Sequence, residues 1–279
     1  PCTTKFLGDC GATIIKVESY MNPDGSRTSP PYAAGKPGIN RSGIFSSENS
    51  SKYSIALNLK ISRGIEIAKE LVRWADVVTE SFTPRTMKKW GLDYDNLKKI
   101  KPDIIMCSIT LQGQDGPYAS QPSLGTMAQA IVGIDHLCGW PDRPPVGPWY
   151  SYTDTVIPPI AVVAIMAALD LRHREGKGQH IDVNQLEAGL HFIAPVILNY
   201  TANGREQIRQ GNRSNYAVPH GVYRCKGEDK WCAISVSTEK EWESFCKVVN
   251  IPLLIQDARF GTMLARKNSE EELDKLVEE

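Results

Sequence analysis

Residues 144–188 read PPVGPWYSYTDTVIPPIAVVAIMAALDLRHREGKGQHIDVNQLEA. The stretch holds a proline- and aromatic-rich loop, a long apolar run, a glycine stop and a short alternating segment. Pro158 and Pro159 lack a backbone N–H and fit a helix only in its first turn, so the helix is expected to begin close to them. Arg172, His173 and Arg174 suit its C-terminus, and Gly176 suits its end. From Val156 to Leu171 there is no polar face before Asp170, which predicts burial on most sides. Asp154 stands between two threonines at or just before the helix start. Free N–H groups and the helix dipole favour an acid there. Two roles stay open for it at this point, a helix N-cap and a carboxylate nucleophile.

Working outward, Ala12–Val17 (ATIIKV) reads as a strand closed by Glu18, after a helix end over Cys2–Leu7. Residues 22–51 are rich in Pro, Gly, Ser and Asn and predict an irregular excursion. Lys52–Lys60 alternates as a strand, and Ile65–Trp74 has the period of an amphipathic helix. Asp76–Glu80 and Ile104–Ile109 are further strands, separated by a helix carrying Lys88 and Lys89 and another over Leu92–Ile100. A turn-rich loop spans Gly113–Pro122, and a short helix is expected over Met127–Val132. Strands alternating with helices at this spacing predict an α/β fold with a doubly wound, mostly parallel, Rossmann-like sheet.

Beyond the helix expected over His191–Thr201 the pattern changes. Gly221–Arg224 and Trp231–Val236 read as a hairpin across Lys226-Gly227-Glu228-Asp229. Thr238 and Glu241 then form a capping box for a helix that continues through Trp242–Val249. This predicts a large domain over 1–205 and the start of a smaller α+β domain over 206–279. The chain opens within a helix and halts within another, as a piece of a longer protein would.

Acidic and basic residues balance at 32 each, which argues against a nucleic-acid or anionic-membrane partner. The seven cysteines are scattered and form no C-x-x-C. They predict mostly buried free thiols in a reducing cytoplasm, and neither they nor the five dispersed histidines have the spacing of a metal site. The apolar run over 156–171 is short for a bilayer span. No G-x-G-x-x-G follows the first strand, so a nicotinamide dehydrogenase lacks its fingerprint, and neither a P-loop nor a nucleophile elbow is present.

More informative is the segment after the third strand. Ser81 and Phe82 fall at its carboxyl end, and Thr86, Lys89 and Trp90 lie about one turn apart on the next helix. An anion would meet a helix N-terminus, a lysine and an aromatic face together, with Lys60 adding a second charge. The same pattern also describes a solvated lysine face and aromatic core residues.

Several stretches taken together carry a family resemblance: GDCGATIIKVE (Gly8–Glu18), SKYSIALNLK (Ser51–Lys60), ADVVTESFTP (Ala75–Pro84), the segment from Trp90 to Ser120, and AALDLRHREGKGQHIDV (Ala167–Val183). In this order they resemble the class III CoA-transferases, which include formyl-CoA transferase and the carnitine CoA-transferases. The resemblance implies an acyl-CoA:carboxylate CoA-transferase, with coenzyme A entering as the acyl-CoA substrate and no metal. It implies Asp154 as a nucleophile working through aspartyl anhydride and aspartyl-CoA thioester intermediates. It further implies CoA contacts from Leu57, Lys60, Ser81, Phe82, Thr86, Lys89 and Trp90, and an interlocked homodimer or a heteromer with a homologous subunit; the cytoplasmic location is expected from the cysteine usage above.

The chain departs from the family pattern at Ser81, where many members carry Asn, and at Gly125, where an acidic residue is frequent. The family's first βα unit and its C-terminal return are missing from the stretch. An α-methylacyl-CoA racemase is a related alternative, but it would place a histidine where this chain has Leu124-Gly125. A catalytically silent subunit beside an active homologue is the other alternative, and the intact Asp154 argues against it.

Overall fold

The computed structural model describes residues 1–122, 124–148 and 150–279. In chain order its elements are α1 (Cys2–Asp9), β1 (Ile15–Glu18), α2 (Gly43–Glu48), β2 (Tyr53–Ala56), α3 (Ser62–Trp74), β3 (Val77–Glu80), α4 (Thr86–Lys89), α5 (Tyr94–Ile100), β4 (Ile105–Thr110), α6 (Gly125–Val132), α7 (Ile134–Leu137), α8 (Tyr152–Glu175), β5 (His180–Asn184), α9 (Gln185–Leu190), α10 (Ala194–Asn203), β6 (His220–Arg224), β7 (Trp231–Ser235), α11 (Glu239–Val248), α12 (Met263–Asn268) and α13 (Glu270–Glu278). They form two compact units, one of residues 1–134 and 147–206, the other of 135–146 and 207–279.

In the first unit β1 and β2 pair in parallel, and β3, β4 and β5 form a parallel sheet with β4 in the middle. The central strand, IMCSIT, is buried at every position but Ile109, as a parallel strand covered on both faces requires. Side chains alternate across it. On one face Met106 and Val78 pack with Leu57, Val72, Leu92 and Leu97, under α3 and α5. On the other Cys107, Ile109 and Val183 pack against Ile157, Ala161 and Ile165 of α8. Removing each fully buried isoleucine from water contributes roughly 1.5–3 kcal/mol.

The long helix departs from two expectations. It begins at Tyr152, upstream of the prolines, which lie inside it. Tertiary hydrogen bonds hold the added turn: Tyr152 N donates to Gln129 Oε1 at 2.7 Å and Thr153 Oγ1 to the Gly125 carbonyl at 3.1 Å. The two prolines have no N–H to offer the carbonyls of Asp154 and Thr155. Burial also follows one side, Thr153, Ile157, Pro158, Ala161, Ile165 and Ala168, while Val163 is 68% exposed and Met166 53%. A straight helix on a three-stranded sheet meets it along one face only. At 24 residues α8 is long and apolar enough, by length and composition alone, to cross a bilayer, contrary to the expectation from 156–171. Gly176 ends it in the left-handed region, φ 69°, as expected for a C-cap glycine.

The 22–51 excursion carries more structure than its composition predicts. It contains α2 and two short 3-10 turns. Arg27 braces it, with Nε 2.5 Å from Glu18 Oε1 and its guanidinium 3.6 Å from the centre of the Phe45 ring.

In the second unit β6 and β7 form the expected antiparallel hairpin, with His220 opposite Ser235. The capping box at Thr238 and Glu241 is present in full. Val218, Trp242, Cys246, Phe260 and Leu273 form its core. The fully buried Arg266 stacks on Trp242 and bonds Glu239 Oε2 at 2.9 Å. Residues 135–146 join this unit through bonds from Arg209 to the His136 carbonyl and from Gly211 N to the Gly139 carbonyl. All seven cysteines are free thiols, but only Cys107 and Cys246 are buried, while Cys10, Cys225 and Cys232 are exposed. The expectation of mostly buried thiols fails in part because Cys225 directly follows β6 and Cys232 lies on β7 of an exposed hairpin.

Candidate active site

Where β5 ends, the Asn184 side chain accepts from Leu186 N at 2.9 Å and Glu187 N at 3.3 Å and starts α9. Leu186 N also donates to the Leu111 carbonyl, tying α9 to the loop after β4. Gln185 is thereby fixed as the first residue of α9, and its Nε2 donates to Asp154 Oδ1 at 3.1 Å.

Asp154 itself is half-buried in the first turn of α8. Ser151 occupies the N-cap position and no side chain caps the helix, so the N-cap role left open for Asp154 is not the one it performs. Its second oxygen faces Gly125: a Cβ built there would lie 2.2 Å from Asp154 Oδ2 and 2.0 Å from Ser151 Oγ. Only glycine leaves that space to the two oxygens. Ser151 Oγ and Gln185 Oε1 are buried with no hydrogen-bond partner among the described residues. One carboxylate oxygen is therefore anchored by Gln185, and the other fills the space that a side chain on residue 125 would take, with the Ser151 hydroxyl beside it.

A second carboxylate comes from α2. Glu48 Oε1 accepts from the Tyr150 hydroxyl at 3.1 Å. Burial, with Glu48 adding to it, pushes that phenol up to about 12. Burial likewise raises the Cys2 thiol, with Glu48 next in effect. Lys52, drawn down to about 8 by burial and by Lys16, bonds the Glu48 carbonyl at 2.8 Å.

The residues expected around CoA lie at the carboxyl end of β3 and beyond β2. Ser81 and Phe82 follow β3, and the Phe82 and Trp90 rings meet edge to face, centroids 5.3 Å apart. Leu57 is buried in the core that Trp90 packs against, so it backs the aromatic pair from within. Thr86 Oγ1 shares a hydrogen bond with Thr83 Oγ1 at 3.2 Å. Lys60 and Lys89 are exposed. Lys60 stands beyond β2, in a turn where its N–H bonds Asn58 Oδ1. The expected helix N-terminus reduces to the single turn of α4, entered through Arg85 at φ 73°, and one turn carries little dipole.

Glu80 organises this edge. Its Oε2 accepts from Phe82 N at 2.7 Å and its Oε1 from Gln114 Nε2 at 3.3 Å. Burial raises its carboxyl despite the Ser108 and Phe82 hydrogen bonds that work the other way. A cleft of about 180 Å³ opens beside it, lined by Arg85, Lys88, Tyr94, Ser108 and His180. Neither Asp154 nor any of the seven candidate CoA residues lines that cleft.

Asp154 and the CoA candidates belong to opposite faces of the sheet and share its carboxyl edge. Phe82 leaves β3 and Gln185 leaves β5, with β4 between them, two strand spacings or roughly 10 Å. Ligands of open parallel sheets bind at that edge. Among the described residues no group of three or more His, Cys, Asp or Glu is arranged to hold a metal ion. Gln185, Gly125 and Ser151 were missed as site residues from sequence, because their roles depend on α6 and α9 meeting α8.

The whole chain, residues 1–279, matches the model of CoA-transferase family III. It is 36% identical over 278 residues to succinyl-CoA:glutarate CoA-transferase from Mus musculus, covering 99% of this chain and 62% of that protein. It is 37% identical over 262 residues to acetyl-CoA:oxalate CoA-transferase from Acetobacter aceti, covering 93% of this chain and 65% of that one. Its fold superposes on the crystal structure of a CAIB/BAIF family protein from Brucella suis with a TM-score of 0.91 at 34% identity, over 100% of this chain and 73% of that chain. The protein belongs to CoA-transferase family III, a mixed α/β fold with parallel sheets, as the resemblance implied. It spans less than two thirds of the length of these curated relatives.

Proposed function

We propose that this chain is the CoA-handling part of an acyl-CoA:carboxylate CoA-transferase with Asp154 as its nucleophile. The observation that carries this is the inequivalence of the two Asp154 oxygens, Oδ1 bound by Gln185 and Oδ2 packed against the side-chain-free Gly125, at the carboxyl edge of the sheet.

Asp154 Oδ2 attacks the donor thioester carbonyl, the C–S bond breaks, and CoA thiolate leaves a mixed anhydride. The thiolate then attacks Asp154 Cγ and expels the donor acid, giving an aspartyl-CoA thioester. The acceptor carboxylate attacks Cγ in turn and expels CoA thiolate. Finally the thiolate attacks the acceptor's acyl carbonyl, releasing the new acyl-CoA and the free Asp154 carboxylate. Every step exchanges a thioester with an acid derivative, so a nucleophile that is also a leaving group suffices. Lys60 and Lys89 hold CoA phosphates, and Phe82 and Trp90, backed by Leu57, hold the adenine or the pantetheine arm. Ser81 and Thr86 supply hydroxyl contacts along it. As the family resemblance implies, the chain acts within an interlocked dimer, in the cytoplasm that its cysteine usage predicts.

Incubating the full-length protein with acyl-CoA and hydroxylamine tests the assignment. A hydroxamate on the peptide holding Asp154 is expected. Label recovered only on another peptide reassigns the nucleophile.

A further inference from the structure

The transfer uses Asp154 both as a nucleophile and as an electrophile. In two of its steps the electrophile is Asp154 Cγ, attacked first by CoA thiolate and later by the acceptor carboxylate. Each attack creates a tetrahedral centre whose negative charge sits on the aspartyl oxygen that stays attached, and that oxygen needs a donor. The described structure offers one. Gln185 Nε2 lies 3.1 Å from Asp154 Oδ1. A carboxylate only accepts hydrogen bonds, so the amide must turn its NH2 toward Asp154. Gln185 Oε1 is buried without a partner among the described residues, so Asp154 orients the amide and no second partner competes for it. The backbone beneath is rigid: Asn184 caps α9, and Leu186 is bonded to the loop after β4.

We propose that Gln185 is a catalytic residue of this chain, donating from Nε2 to the oxyanion that forms on Asp154 Oδ1 each time the aspartyl carbonyl is attacked. This rests on Asp154 being the nucleophile. The bookkeeping separates the steps. When Asp154 attacks the donor, Oδ1 loses negative charge, and Gln185 gives no help. When the sulfur adds to Cγ, the C=O electron pair moves onto Oδ1, and the Gln185 hydrogen bond strengthens. It relaxes as the pair returns and the acid or the thiolate leaves. Gln185 therefore accelerates formation and discharge of the aspartyl-CoA thioester and not the first attack.

The test uses the full-length protein, with succinyl-CoA or acetyl-CoA as donor and ¹⁸O-labelled glutarate or oxalate as acceptor. Removing one oxyanion donor lowers kcat by about 100- to 1,000-fold, and that loss is expected for Gln185→Leu, with KM for the donor little changed. Rapid quench of Gln185→Leu with donor alone should show a burst of free CoA thiol ahead of free donor acid, the mark of a stalled anhydride. Gln185→Glu can donate only when its new carboxyl is protonated. Its kcat should rise on the acid side, a limb absent from the wild type and one that a merely structural role would not produce. A Gln185→Leu protein with kcat within about threefold of wild type, or one slowed without the thiol burst, overturns the proposal. Arrival of ¹⁸O on the Asp154 peptide of the wild type reports separately on the nucleophile, since each turnover leaves one acceptor oxygen on Asp154. Absence of that label would remove Asp154 from the mechanism, whatever Gln185 does.

Discussion

Gly125 and Asp154 are fitted to one another through a missing atom: a Cβ on residue 125 would stand 2.2 Å from Asp154 Oδ2. Gly125 begins α6 and Asp154 lies in the first turn of α8, and the Thr153 hydroxyl bonded to the Gly125 carbonyl locks the two helix starts together. The position of the Asp154 carboxylate thus depends on a residue with no side chain.

Gly125→Ala is accordingly expected to leave the protein folded while turning the Asp154 carboxylate aside. A displacement of about 1 Å at a reacting group can cost about 100-fold in rate. Steady-state kinetics should show a fall of that order in kcat, and circular dichroism should show an unchanged fold.

The aromatic pair makes a separate prediction. Phe82 is 46% exposed, and an edge-to-face pair is worth about 0.5–1.5 kcal/mol beyond its buried area. Phe82→Ala should therefore lower stability only slightly yet raise KM for acyl-CoA at least tenfold. Denaturant titration and kinetics on the same preparation measure both.

Lys60 and Lys89 are exposed lysines assigned to CoA phosphates. Attraction between exposed charges is screened within about 10 Å at 0.1 M salt. KM for acyl-CoA in the wild type should rise with salt, and the Lys60→Ala/Lys89→Ala double variant should start higher and respond less. An unchanged salt profile removes both lysines from the CoA site.

Glu80 yields a pH signature. Burial raises its carboxyl in the folded protein. The folded pKa lies above the unfolded one, so protonation favours the fold. That contribution is complete below the unfolded value of about 4.3 and is lost as pH rises through the folded value. Glu80→Gln abolishes this dependence and keeps an acceptor for Phe82 N. Its urea midpoint should gain on the wild type between pH 4.5 and 7. Glu80→Ala leaves the Phe82 N–H unsatisfied and should cost about 1–3 kcal/mol at every pH.

Helix α8 predicts an asymmetry between its faces. Ile165 is fully buried and Val163 is 68% exposed. Ile165→Ala should cost about 2–5 kcal/mol, and Val163→Ala about 0.5 kcal/mol or less. Thermal or denaturant unfolding of the full-length protein distinguishes them.

Much of this molecule was readable from residue order because its determinants are local. The strands read at 12–17, 76–80 and 104–109 fall on β1, β3 and β4, and the alternating run at 52–60 holds β2. Gly176 closes α8, and the Thr238–Glu241 capping box stands where spacing put it. Periodicity, caps and turn residues act over a few positions, and the motifs that marked the family are stretches of this kind. Tertiary structure alone decided where α8 starts, because the bonds that Tyr152 N and Thr153 Oγ1 donate to Gln129 and Gly125 outweigh the start that Pro158 and Pro159 favour locally. It decided which side of that helix is buried, and that residues 135–146 join the second unit. It also decided which of the Asp154 oxygens is bound. Gln185 stands far from Asp154 in the chain and carries no motif, so only the packing of α9 and α6 against α8 could bring a donor to one oxygen and a glycine to the other.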